Sequence, residues 1–303
     1  MKTLVVITGP TGVGKTELSI RIAEKYDTDI ISCDSRQLFK EMAIGTAVPS
    51  DEELKRVKHH FIQTHSIHNY YNAAQFEVDV LDKLETLFKE KEIVVMTGGS
   101  MMYIDAVCKG IDDLPTVTPE IRNGLIAQYE NEGIENIKQE LLENDPIYYN
   151  QVDLNNNKRI LHAVEIIRMT GVTYSSLRTN TIKERPFQIV KICINREREE
   201  VYDRINRRVL LMVEDGLEQE AKKLFSYREL PALNTVGYKE FFNYFSGEKD
   251  LDHAIERVQA NTRKYARKQL TWFRRDKSYE WFHPSEEEKI VHYIDHCRDS
   301  ESN

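Results

Sequence analysis

The octapeptide Gly9-Pro10-Thr11-Gly12-Val13-Gly14-Lys15-Thr16 constrains this chain more than any other feature. It matches G-x-x-x-x-G-K-[ST] in full. An apolar run, residues 4–7 (LVVI), precedes it, and residues 15–26 follow with Leu18 and Ile22 on one helical face. A strand, a glycine-rich turn and a helix in that order bring backbone N–H groups and a helix N-terminus to one point, a setting for a diphosphate. Lys15 then reaches a terminal phosphate oxygen and the Thr16 hydroxyl ligates Mg²⁺. The plainer reading is an ordinary glycine-rich turn, which leaves the Lys-Thr pair unexplained. The motif specifies a diphosphate and leaves open whether a nucleotide carries it.

The remaining pattern builds a sheet around that loop. Residues 29–33, 93–96 and 189–194 read as further strands, and residues 77–90 carry Leu81, Leu84, Leu87 and Phe88 at helical spacing. Strands separated by helices imply an α/β fold, a parallel sheet with helices on both faces. Between Pro115 and about Pro186 the chain turns helical, polar and Asn-rich, as an insertion would. The expected organisation is a core over 1–114, a mostly helical insertion over 115–187, and the core again over 188–303, with helices over 197–224 and 253–275.

Ligands in open α/β sheets bind at the carboxyl ends of the strands. Asp34-Ser35-Arg36-Gln37 follows the second strand, Gly98-Gly99-Ser100 the third, and Asn195-Arg196 the fourth. Asp34 can hold Mg²⁺, act as a base, or merely cap the next turn by local hydrogen bonding. Ser100 alone reads as a helix N-cap. His59 and His60 read as loop residues that are solvated or packed, because no carboxylate or cysteine spacing beside them makes a metal site.

Charge is uneven. The 303 residues carry a net charge of −8, yet residues 112–157 hold ten acids against only Arg122 and Lys138, so the rest is formally neutral. Residues 257–277 hold eight Lys/Arg and one acid, interleaved with Tyr265, Trp272 and Phe273. Such a stripe suits a nucleic-acid backbone, and on charge alone also fits an amphipathic helix with a solvated basic face. The longest apolar run, residues 209–213, is far short of the roughly 18 residues that cross a bilayer, so no membrane is expected. MKTLVV is too short an apolar opening for a signal peptide. Cys33, Cys108, Cys193 and Cys297 form no C-x-x-C pair, which argues against a disulfide framework and suits a reducing cytoplasm.

With these residues in view, the chain resembles the bacterial tRNA dimethylallyltransferases, also called tRNA isopentenyltransferases. The resemblance rests on GPTGVGKT (9–16), DSRQLFKEMAIGTAVPS (34–50), GGSMMY (98–103), KRILHAVEIIRMTG (158–171), YDRINRRV (202–209), NTVGYKE (234–240) and RKQLTWFRR (267–275), in family order over nearly the whole chain. It implies a P-loop NTPase-like core with an insertion that grips the anticodon stem-loop, and transfer of a dimethylallyl group from dimethylallyl diphosphate to N6 of the adenosine 3′ of the anticodon. It also implies Mg²⁺ held by Thr16 and Asp34, phosphates held by Gly9 to Thr16 and Arg208, and catalysis by Asp34, Ser100 and Lys15. Ser35, Arg36 and Gln37 would contact the target base. Arg122, Lys158, Arg159, Ile160, Leu161, His162, Arg267, Lys268, Gln269, Trp272 and Arg274 would contact the tRNA. A cytoplasmic monomer is the expected form. The family usually has Thr at Ser100, Asp at Asn156, other polar residues at Leu161 and His162, and Arg at Asn234. Two further readings are a small-molecule P-loop kinase, for which the basic aromatic helix has no evident use, and a non-catalytic RNA-binding protein.

Overall fold

The computed structural model describes residues 1–179 and 181–300. The chain divides into two compact units, one formed by Met1–Cys108 and the chain from Glu184 onward, the other by Lys109–Lys183.

In the first unit, β1 (Thr3–Thr8) leads through the glycine loop into α1 (Lys15–Lys25), and β2 (Ile30–Ser32) follows. Then come α2 (Asp51–Arg56), β3 (His59–His60), α3 (Ala73–Leu87), β4 (Ile93–Thr97) and α4 (Met101–Lys109). In the second unit lie α5 (Pro119–Glu132), α6 (Glu135–Asn144), α7 (Pro146–Gln151), α8 (Asn157–Thr170) and α9 (Tyr174–Leu177). The chain returns through β5 (Gln188–Ile194), α10 (Arg198–Glu214), α11 (Leu217–Leu224), α12 (Lys239–Phe245), α13 (Leu251–Phe273), β6 (Tyr279–Phe282) and α14 (Glu287–Ser300).

The six strands form one parallel sheet in the order β3-β2-β4-β1-β5-β6. Side chains alternate across a strand, and β1 divides accordingly. Leu4 and Val6 join α3 and α4 in one apolar cluster, while Val5 and Ile7 join α1 and α14 in another. This is the α/β sheet with helices on both faces that the sequence implies.

Three details differ from the sequence reading. His59 and His60 form a short edge strand rather than a loop, with His60 Nε2 2.8 Å from Asp29 Oδ2. The helix expected over 197–224 is two helices, because Gly216 takes a left-handed φ of 104° between α10 and α11. The edge strand β6 was not expected at all. In the second unit Leu125, Ile137, Leu141, Ile160 and Val164 make a separate apolar core.

Candidate active site

Two cavities open at the carboxyl ends of the strands. One, of about 520 Å³, is lined by Thr11, Gly12, Gly14, Lys15 and Thr16 together with Asp34 and Arg204, Arg207 and Arg208. The other, of about 690 Å³, is lined by Asp34, Ser35, Arg36 and Ser100 on one side and by residues of α12 and α13 on the other. Thr11, Asp34, Thr46 and Arg208 line both. Asp34 therefore stands where the glycine-loop cavity meets a second, larger space.

Within the glycine loop the roles divide. Gly9, Pro10 and Val13 do not line the glycine-loop cavity. Lys15 Nζ donates to the Gly9 and Pro10 carbonyls at 2.9 Å each, Val13 N–H donates to the Pro10 carbonyl at 3.3 Å, and the Val13 side chain is fully buried. Thr11 N–H donates to Gln269 Oε1 at 2.9 Å. The loop amides that remain on the cavity wall are those of Gly12, Gly14, Lys15 and Thr16. An ammonium has three donors, so Lys15 keeps one for an anion.

Arginines close the loop from outside. Arg204 Nε donates to the Gly12 carbonyl and Arg196 Nε to the Val13 carbonyl, each at 2.8 Å, and an Arg208 N–H donates to Thr11 Oγ1. Burial, and then the Arg208 charge, lower the Lys15 pKa to about 8, with Asp34 pulling the other way. Arg208 is itself lowered by burial against the stabilising charge of Asp34, and its Nε is a buried donor with no acceptor. An enclosed cluster of cations with a spare donor suits a polyanion. His59 lines the same cavity, with Nδ1 2.8 Å from the Val57 carbonyl and its pKa held low by burial.

Asp34 combines the turn-capping and site-facing roles. Its Oδ1 accepts from the N–H groups of Arg36 at 2.8 Å and Gln37 at 3.3 Å, the local turn that its position at a strand end predicts. Ser100 is 8 % exposed and does not cap α4 with its side chain, as the sequence suggested. The Ser100 hydroxyl accepts from Ser35 N–H at 2.8 Å and donates to Ser35 Oγ at 3.1 Å, tying the two strand ends together beside Asp34. Tyr265 is 36 % exposed, but its hydroxyl donates to the Gly99 carbonyl at 3.4 Å. Burial and the Asp34 charge push its pKa up to about 12, and Tyr103 is likewise pushed up to about 12, chiefly by burial.

Several expected tRNA contacts are occupied elsewhere. Gln269 is 2 % exposed, and both ends of its amide are used: Oε1 on Thr11 N–H and Nε2 on the Gly99 carbonyl at 2.8 Å. A Cβ on residue 99 would lie 2.2 Å from that Nε2, which is why glycine stands there. Gln269 thus joins the glycine loop to the Gly98-Gly99-Ser100 turn, with its amide already taken up inside the fold. Ile160 is fully buried in the core of the second unit. Leu161 packs against that core, and Arg122 Nε and His162 Nδ1 each lie 3.3 Å from the buried Glu165 carboxylate. Lys158 and Arg159 are exposed at the start of α8, where Asn156 caps the helix by accepting from Arg159 N–H at 3.3 Å.

Arg36 donates to the Ala232 carbonyl at 2.9 Å, and Gln37 Nε2 to the Ala47 carbonyl at 2.8 Å, so both are tied into the wall. Arg267 donates to the Tyr202 hydroxyl at 3.0 Å and Trp272 Nε1 to Asp105 Oδ2 at 2.8 Å, and both Lys268 on α13 and Arg274 just past its C-terminal end are exposed. Arg204 and Arg207 were not expected at the site. Their sequence signals are their spacing with Arg208 on one helix and their place in the YDRINRRV run (202–209). Among the described residues no helix is long and apolar enough to cross a membrane.

Comparison with known proteins supplies the remaining observation. A family model described as IPP transferase matches residues 37–276. The chain is 58% identical over 294 residues to a tRNA dimethylallyltransferase 2 of Parabacteroides distasonis, spanning 97% of this chain and 98% of that one. It is 57% identical over 293 residues to a tRNA dimethylallyltransferase 1 of Bacteroides fragilis, covering 97% of both. Among solved structures it is similar to the full-length tRNA isopentenylpyrophosphate transferase of Bacillus halodurans, with a TM-score of 0.72 and 31% identity over 100% of both chains. It is also similar to a eukaryotic dimethylallyltransferase acting on tRNA, with a TM-score of 0.75 and 26% identity over 90% of this chain and 70% of that one.

Proposed function

Because the chain belongs to the IPP transferase family, whose curated relatives are tRNA dimethylallyltransferases, we propose that its two cavities divide one prenyl transfer between them. The reaction moves a dimethylallyl group from dimethylallyl diphosphate to N6 of the adenosine 3′ of the anticodon, in tRNAs reading codons that begin with U, and releases diphosphate. The observation that carries the division of labour is the position of Asp34 on the wall common to both cavities.

On this reading the smaller cavity takes the diphosphate. Its phosphates meet the Gly12, Gly14, Lys15 and Thr16 amides, the Lys15 ammonium and the arginines around it. The larger cavity takes the splayed-out adenine, since an RNA base must leave its stack to reach such a pocket. The N6 lone pair attacks the allylic C1 and the C1–O bond breaks, its electron pair leaving with the diphosphate. The N6 proton passes to Asp34, which accepts on the oxygen not engaged by Arg36 and Gln37 N–H. Ser100 holds Ser35 beside the reacting amine. The Thr16 hydroxyl and Asp34 line the same cavity and are hard oxygen donors of the kind Mg²⁺ takes. Bound there, the ion would help neutralise the leaving diphosphate. Exposed Lys158 and Arg159 of the insertion, together with Lys268 of α13 and Arg274 at its C-terminal cap, supply the backbone grip. A cytoplasmic setting follows from such a substrate.

Asp34→Asn tests the assignment. It keeps size and removes the proton acceptor, so single-turnover transfer at saturating tRNA should fall about 10²–10⁴-fold, with affinity for dimethylallyl diphosphate little changed. Recovery of the rate at high Mg²⁺ would replace the base with a metal-holding role.

A further inference from the structure

Away from the cavities, Glu220 on α11 makes an unusual set of bonds. Its Oε2 accepts from Ala43 N–H at 3.0 Å and Ile44 N–H at 2.9 Å; its Oε1 accepts from Gly45 N–H at 2.9 Å and from the Tyr238 hydroxyl at 2.7 Å. Three consecutive backbone amides and a phenol converge on one carboxylate. Tyr238 is fully buried, and its ring lies against Gly45 so closely that a Cβ there would be 2.7 Å from three ring and hydroxyl atoms. Burial and the Glu220 charge push the Tyr238 hydroxyl well above its ordinary range, so it remains a donor.

The turn held in this way leads to the site. Thr46 lines both cavities, and Ala47 takes a left-handed φ of 52°. A non-glycine residue persists in that region only where its surroundings over-determine it. The carbonyls of Thr46 and Ala47 accept from Gln37 Nε2 at 3.2 and 2.8 Å, and Gln37 N–H in turn donates to Asp34 Oδ1. A continuous chain of hydrogen bonds and backbone therefore runs from Glu220, through the strained turn and Gln37, to Asp34.

We propose that Glu220, clamped with Tyr238, is a positioning residue for transfer: it fixes the 43–47 turn that orients Asp34 through Gln37. The inference rests on the reading of Asp34 as the base. Glu220 touches no substrate, so its effect is on the rate of the chemical step and not on diphosphate binding, which the glycine loop and α10 provide.

Glu220→Gln in the full chain keeps the shape but faces an amide NH₂ toward backbone donors. The measurements are single-turnover transfer to an anticodon stem-loop RNA at saturating dimethylallyl diphosphate and Mg²⁺, affinity for an unreactive thio analogue of that diphosphate, and the thermal midpoint. The expected result is a rate about tenfold lower, since small misplacements of a reacting group already cost up to about 10²-fold, with analogue affinity within twofold. Tyr238→Phe keeps the ring on Gly45, removes one bond, and should give a smaller loss in the same rate. Combining Glu220→Gln with Gln37→Ala should be clearly non-additive, because residues in one hydrogen-bond network couple.

A wild-type rate in Glu220→Gln, losses that multiply in the double variant, or an equal loss of analogue affinity would each overturn the proposal. If Glu220→Gln fails to fold, Tyr238→Phe decides by the same ratio of rate to affinity. Asp34→Asn is run alongside. Full activity there removes the base reading itself, whereas its inactivity beside an unaffected Glu220→Gln removes only the positioning role.

Discussion

Affinity for the prenyl diphosphate should fall as pH rises through about 8. The Lys15 pKa is lowered to about 8 by burial first and by Arg208 second, so the ammonium is present below that value and lost above it. A bound diphosphate favours the ammonium, and linkage then requires binding to take up a proton once the pH passes 8. Between pH 7 and pH 9 the ammonium fraction drops from roughly nine-tenths to one-tenth. That is about tenfold in affinity, or about 1.4 kcal/mol. An ordinary lysine, titrating near 10.4, would give no such fall in this window.

Nothing else on the phosphate side changes there. Arginines do not deprotonate, and a phosphate's second proton is lost near pH 6. The assay is calorimetric titration with the thio analogue from pH 7 to 9 at fixed Mg²⁺, in two buffers of different ionisation enthalpy. Their difference reads the proton uptake directly. Lys15→Arg should bind with a flat pH profile. A flat profile for the wild-type protein, or proton release on binding, would refute the assignment of Lys15 to the phosphates.

Two other substitutions probe the loop and its neighbours. Ser100→Thr should stay active because the hydroxyl to Ser35 is retained, whereas Ser100→Ala should lower single-turnover transfer by about 10²-fold, as loss of an active-site hydrogen bond often does. Gln269→Leu leaves Thr11 N–H and the Gly99 carbonyl without their partner; urea unfolding should show a loss of about 1–3 kcal/mol, and a midpoint at the wild-type value would deny the bridge.

How much of this was legible depended on whether a residue's role is local. The four central strands could be read because each carries a run of buried apolar residues, and the glycine loop because its motif is contiguous. Asp34 and Ser100 could be singled out because strand ends in such sheets face the site. The edge strands could not be read: β3 is two histidines and β6 mixes Glu280 among aromatics. The periodic pattern of residues 198–224 runs on across Gly216, whose backbone alone makes the break. Gln269 looked like one more polar residue of a basic stripe, since nothing near it in sequence reveals that Thr11 and Gly99 lie on either side. Ile160 follows the exposed Lys158 and Arg159, but one helical position is enough to turn it into the core.

The shared wall also bears on why a phosphate-binding loop of this kind can serve carbon chemistry. A nucleophile entering the phosphate cavity itself would meet phosphorus. Here a second, larger cavity adjoins the one lined by the glycine loop, and Asp34, Thr11 and Arg208 are common to both. On the proposed division of the two cavities, a group held in the larger one would meet the allylic carbon first, with the cations of the loop and α10 behind the leaving oxygen. Developing positive charge at C1 then lies between a carboxylate and a departing diphosphate, and both stabilise it. The same cationic loop that would polarise a P–O bond for a kinase therefore withdraws electrons from a C–O bond instead. On the proposed reading, the choice is made by where the second cavity opens, and it turns on the orientation of one aspartate.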